Sequence, residues 1–80
     1  GGPAGVLADL APGAAAVVVG LHPDDATLAR RLCDLGFTPG TRVEVLRRAP
    51  LGDPAVYRLR DYEICLRERQ ARVVDVEVLG

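Results

Sequence analysis

The sequence predicts a mainly β fold: a small five-stranded barrel with one inserted α-helix and one short helical turn. Three observations carry this. Several short segments alternate apolar and polar residues at the two-residue period of strands, Thr41 to Arg48 most clearly. Glycine- and proline-rich turn signals separate them, notably Leu35-Gly36-Phe37-Thr38-Pro39-Gly40 and Ala49-Pro50-Leu51-Gly52-Asp53-Pro54. Only one stretch carries a complete helix signature, with start, apolar stripe and stop.

The elements follow in order. Gly1-Gly2-Pro3 lacks an initiating methionine and reads as a cloning remnant or trimmed start, so residues 1–4 are expected to stand outside the fold. Leu7 to Leu10 is a lead-in, and Ala11-Pro12-Gly13 turns the chain. Ala14 to Leu21 reads as a buried strand: Val17, Val18 and Val19 are β-branched, and Gly20 marks its end or a bulge. His22-Pro23-Asp24-Asp25 opens the helix, with Asp24 as N-cap and Asp25 near the positive end of the dipole. Leu28, Leu32 and Leu35 recur at i, i+4 and i+7, and Ala29 and Cys33 extend that stripe. Arg30, Arg31 and Asp34 fall on the solvated side. Gly36 suits the left-handed C′ position, from which Phe37 packs back on Leu32.

Pro39-Gly40 suits a type II turn. In the strand that follows, Val43, Val45 and Arg47 share one face and Glu44, Leu46 and Arg48 the other. Ala55 to Arg60 and Tyr62 to Leu66 form a hairpin, with Asp61 at the turn because aspartate tolerates positive φ. Tyr57 and Tyr62 are expected as half-buried cross-strand residues flanking that turn. Arg67 to Ala71 is too polar for a core strand and reads as one helical turn. Val73 to Leu79 closes the chain, with Val74, Val76 and Val78 on one face. Open edges are a hazard for so small a sheet, and closure into an SH3-like barrel removes them.

Composition limits function. Eighty residues make a single domain, 1–80, that buries about 60–65% of its unfolded surface and leaves little room for a deep pocket. The net charge of −1 does not fit a dedicated nucleic-acid binder, and it leaves little colloidal protection against weak self-association. All ten basic residues are arginine, as a GC-rich genome would give. No run of 18 apolar residues and no signal-peptide pattern is present. Cys33 and Cys65 read as two small, buried, reduced side chains.

No catalytic or metal constellation emerges. The single histidine, His22, has Asp24 and Asp25 nearby, whereas iron and zinc sites converge three or four ligands. It reads as a solvated residue beside a helix cap, and neither metal nor cofactor is expected. There is no serine, and no lysine with which to build a phosphate-binding P-loop. With three aromatic residues, Phe37, Tyr57 and Tyr62, a proline-peptide groove is also unsupported. A protein-contact surface remains. The loop Pro50, Leu51, Gly52, Asp53 and Pro54 is stiffened by its prolines and offers Leu51 as an apolar tip. Arg47 and Arg48 form its rim, and Asp53 either bonds the loop backbone or faces the partner.

Four pieces in order give the chain a family resemblance: Leu10-x-Pro12-Gly13; Arg31-Leu32-x-x-Leu35-Gly36-Phe37-x-Pro39-Gly40; the loop Ala49 to Pro54; and Leu66-Arg67-x-x-x-Ala71. The chain resembles, from about Leu7 to Val78, the FeoA family of ferrous-iron-transport accessory proteins. It departs at Asp61, where the family usually has glycine. The resemblance implies an SH3-like barrel of the cytoplasm that is not an enzyme. It implies binding to, and modulation of, the inner-membrane ferrous-iron transporter FeoB, with recruitment to the membrane only through that partner. The same barrel occurs in DtxR-type metal-dependent repressors, which gives one alternative, a regulatory domain. A self-associating structural module is the other.

Overall fold

The computed structural model describes residues 3–22 and 25–79. Strands β1 (Ala4–Val6), β2 (Ala15–Leu21), β3 (Arg42–Arg48), β4 (Ala55–Leu59), β5 (Tyr62–Leu66) and β6 (Val74–Leu79) form one antiparallel sheet in the order β1-β6-β2-β3-β4-β5. A 3₁₀ turn (Leu7–Asp9) follows β1, helix α1 (Ala26–Leu35) joins β2 to β3, and α2 (Glu68–Ala71) joins β5 to β6. The sheet curls around one core that includes Leu7, Val18, Leu32, Phe37, Val43, Tyr57, Leu59 and Val76. No ladder joins β5 to β1 among the described residues. The 3₁₀ turn packs against α2 and β6 instead, so the ends of the curled sheet are bridged by side chains.

Among the described residues there are thus six strands where five were expected. Residues 1–4 were expected outside the fold, but Ala4 pairs with Glu77, and the Val78 amide donates to the Pro3 carbonyl at 2.9 Å. Gly1 and Gly2 lie outside the described residues. Three small residues, Ala4-Gly5-Val6, carry no readable period, and β6 recruits them through backbone hydrogen bonds.

Helix α1 keeps its stripe and its stop. Leu32 is buried and Leu28 and Leu35 are half-buried against the core. Asp25 is the N-cap, its Oδ1 accepting from the Thr27 amide at 2.8 Å; the expected cap, Asp24, lies outside the described residues. Gly36 has φ of 110°, and the Phe37 amide donates to the Leu32 carbonyl at 3.0 Å, the geometry of a Schellman cap. A Cβ on Gly36 would fall 2.7 Å from the Tyr62 hydroxyl oxygen, so the cap is also closed by a side chain from β5. Cys33 is exposed, as is Cys65 on the outer face of β5, and both are free thiols. Their expected burial is corrected: Cys33 lies beyond the edge of the leucine stripe, and Cys65 alternates with the inward-facing Ile64 and Leu66.

Two bulges set the curvature. The β2–β6 register shifts between Val18 and Gly20, the glycine flagged in the sequence. The β3–β4 register shifts between Val45 and Arg47, with Val45 opposite Tyr57 but Arg47 opposite Val56 and Arg48 opposite Ala55. One extra residue, Leu46, exchanges the faces beyond it. Arg48, expected on the face opposite Val45, therefore lies on the same side as the buried Ala55 and Tyr57, and Arg47 is exposed.

At the β4–β5 hairpin the positive φ belongs to Arg60, at 52°, and not to Asp61. The two-residue loop requires that conformation at its first position, whichever residue stands there. Arg60→Gly is therefore expected to raise stability by about 0.5–1 kcal/mol, measured as the shift in urea midpoint; a lower midpoint would show that Arg60 contributes contacts that outweigh its backbone strain.

Candidate functional site

The loop between β3 and β4 is a built structure. The Gly52 amide donates to the Ala49 carbonyl at 2.7 Å, and the Ala49 amide to the Pro54 carbonyl at 2.9 Å. Gly52 adopts φ of 90°, which a residue with a Cβ enters only under strain. Asp53 does not bond its own loop: its Oδ1 accepts from the Glu68 amide at 2.9 Å and so caps the first turn of α2. Fixed at both its base and its far side, the loop holds Leu51 out with 96% of its surface exposed. The leucine does not fold back on the sheet. Pro50 and Asp53 are exposed beside it, and Pro54 is half-buried at the base.

The two arginines of the expected rim part company. Arg47 is exposed, with no hydrogen-bond or ion-pair partner among the described residues. Arg48 turns inward. Its Nη2 donates to the Ala8 carbonyl at 2.8 Å and also to the Leu10 carbonyl, tying β3 to the 3₁₀ turn. Its guanidinium lies beside the hydroxyl of Tyr57, which is 1% exposed. Burial pushes the Tyr57 hydroxyl above the ordinary tyrosine range, and the adjacent Arg48 charge opposes the shift. Tyr57, expected half-buried, is thus a core residue, and Tyr62, at 40% exposure, is the one that reaches solvent.

His22 lies on the surface with Nδ1 2.9 Å from Oδ2 of Asp75, an ion-pair geometry the sequence did not reveal because the two stand on different strand ends. Among the described residues no three His, Cys, Asp or Glu side chains converge to hold a metal ion, and no helix is long and apolar enough to cross a membrane. Arg31, read as solvated, is exposed, and it lines an open groove with Arg69 of α2.

A curled antiparallel sheet with one inserted helix, presenting a rigid apolar loop, defines a small SH3-like domain. The FeoA domain profile matches residues 6–78, and the chain belongs to the FeoA family, which is associated with ferrous iron transport. The family is one of accessory and regulatory domains. The chain is 34% identical over 74 residues to an Fe(2+) transport protein A/Fe(2+) transporter FeoB fusion protein of Porphyromonas gingivalis, covering 92% of this chain but only 9% of that protein. Among solved structures, a FeoA-like protein of Clostridium acetobutylicum matches with a TM-score of 0.88 at 32% identity, over 96% of this chain and 88% of that one. FeoA of Stenotrophomonas maltophilia, solved with zinc and described as an SH3 domain protein, matches with a TM-score of 0.78 at 33% identity, over 90% and 88%. A manganese-dependent transcriptional repressor shares the fold, with a TM-score of 0.87 at 20% identity over 99% of this chain and 38% of its own.

Proposed function

We propose that this chain is a non-enzymatic accessory protein of ferrous iron uptake that docks on the cytoplasmic region of a FeoB-type transporter and modulates it. One observation carries the reading: a relative bears the homologous domain and the transporter in a single polypeptide, a linkage that keeps two partners at high effective concentration. The exposed loop supports it from this chain's side. A leucine held out by backbone hydrogen bonds loses little entropy on docking, and an apolar anchor at the centre of a contact dominates its energy. Pro50, Gly52, Asp53 and Pro54 set the loop's shape, and Arg47 lies at its rim. Arg48, placed in the rim by the sequence, supports the loop from inside through its bonds to Ala8 and Leu10.

Leu51→Asp is expected to leave the thermal midpoint within a few degrees of the parent, because the side chain buries almost nothing. It is expected to reduce capture of the FeoB-type transporter from solubilised membranes by at least about tenfold, the loss of a strong apolar anchor. Equal capture by parent and variant would move the contact elsewhere. No capture by the parent would remove the docking reading itself.

A further inference from the structure

Away from the loop's tip, α1 faces the corner where α2 enters β6, and an open groove of about 360 Å³ lies between them. That is at the lower end of the range for ligand pockets, roughly 300–1,000 Å³. Leu28 and Val73, both half-buried against the core, give it an apolar floor. Arg31 from α1 and Arg69 from α2 are both exposed and both in its lining. Neither has a hydrogen-bond or ion-pair partner among the described residues, whereas Arg48, Arg58 and Arg72 each have one. The one carboxylate among the described lining residues, Asp25, has Oδ1 engaged by the Thr27 amide. In a chain of net charge −1, two unpaired guanidiniums against one carboxylate leave the described lining net positive over an apolar floor.

We infer that this groove binds an acidic peptide segment carrying an apolar side chain, the carboxylates meeting Arg31 and Arg69 and the apolar group covering Leu28 and Val73. Guanidinium forks match carboxylates in geometry as well as charge. A small inorganic anion would satisfy the arginines and leave the floor wet. A lipid surface would require Leu28 and Val73 to protrude, and they are recessed. The inference does not rest on transporter docking through Leu51, though the two surfaces adjoin at α2, where Glu68 bonds Asp53 and Arg69 follows it.

The test is fluorescence anisotropy at low ionic strength with fluorescein-labelled Glu-Asp-Leu-Asp-Glu as the probe. The chain is expected to bind it saturably. Arg31→Ser and Arg69→Ser, both exposed and so harmless to folding, are each expected to weaken binding about tenfold, the size of one lost charged hydrogen bond. Arg30→Ser, on the same helix but outside the groove, and Leu51→Asp are expected to leave it within about twofold. Absence of binding would overturn the inference, as would equal losses for Arg30→Ser and Arg31→Ser. Equal affinity for a probe with serine in place of its leucine would reduce the site to a bare anion contact. Displacement of the peptide by phosphatidylglycerol vesicles at matched charge, or by millimolar phosphate, would assign the arginines to a membrane or an inorganic anion instead.

Discussion

Phe37→Ala is expected to remove about 3–5 kcal/mol of stability, the usual cost of deleting a buried aromatic side chain and leaving a cavity. Phe37 is the chain's only phenylalanine and is 0% exposed. Its backbone closes the Schellman cap of α1 while its ring fills the core beside Leu32. A domain of this length has in total roughly 4–12 kcal/mol, at about 0.05–0.15 kcal/mol per residue. The variant should therefore lose a quarter or more of the domain's whole stability, and urea denaturation followed by circular dichroism reads this directly. A loss below about 1 kcal/mol would mean that the core closes without the ring, which would contradict the packing of α1 described above.

Arg48→Met should cost about 3 kcal/mol, although on the sequence alone Arg48 is a surface residue. Methionine keeps most of the apolar stem and removes the guanidinium, so the change isolates the polar part of the interaction. Two carbonyls, those of Ala8 and Leu10, lose a charged donor, and the buried Tyr57 hydroxyl loses its neighbour. Hydrogen bonds to charged groups contribute about 1.5–3 kcal/mol each, and part of that returns through water at the half-buried end. Guanidinium chloride or urea midpoints decide it. A midpoint within error of the parent's would place the guanidinium back in solvent, where it would be free to serve as interface rim.

The contrast between these residues shows what was legible. The Leu28-Leu32-Leu35 stripe, the Gly36 stop and the positions of the five expected strands are local signals, and the structure follows each of them. The face assignment of β3 failed beyond Val45, because a bulge adds one residue without changing composition, and a two-residue period cannot report its own interruption. Strand β1 failed for another reason: Ala4-Gly5-Val6 has no preference of its own and is a strand only because β6 offers an unpaired edge. At the hairpin, propensity favoured Asp61 for positive φ while register required it of Arg60.

The candidate site divides along the same line. That Leu51 would be an exposed tip follows from the prolines, glycine and aspartate around it, all of which act locally. That Asp53 caps α2, fifteen residues away, and that Arg48 reaches the 3₁₀ turn, do not. Both are contacts between segments distant in sequence, set by how far the sheet curls. The groove holding Arg31 and Arg69 was hidden likewise, since α1 and α2 are joined only in space.

Among the described residues the sheet's two ends meet without a ladder, leaving a seam closed by the 3₁₀ turn on one lip and α2 on the other. Asp53 fastens the exposed loop to the α2 lip through one hydrogen bond, and Arg48, at the loop's near end, fastens the opposite lip. The loop therefore works as a clasp across the seam. A protein that grips Leu51 would hold the clasp shut, and the amides of residues 68–72 would then exchange more slowly with solvent, even though the partner touches none of them.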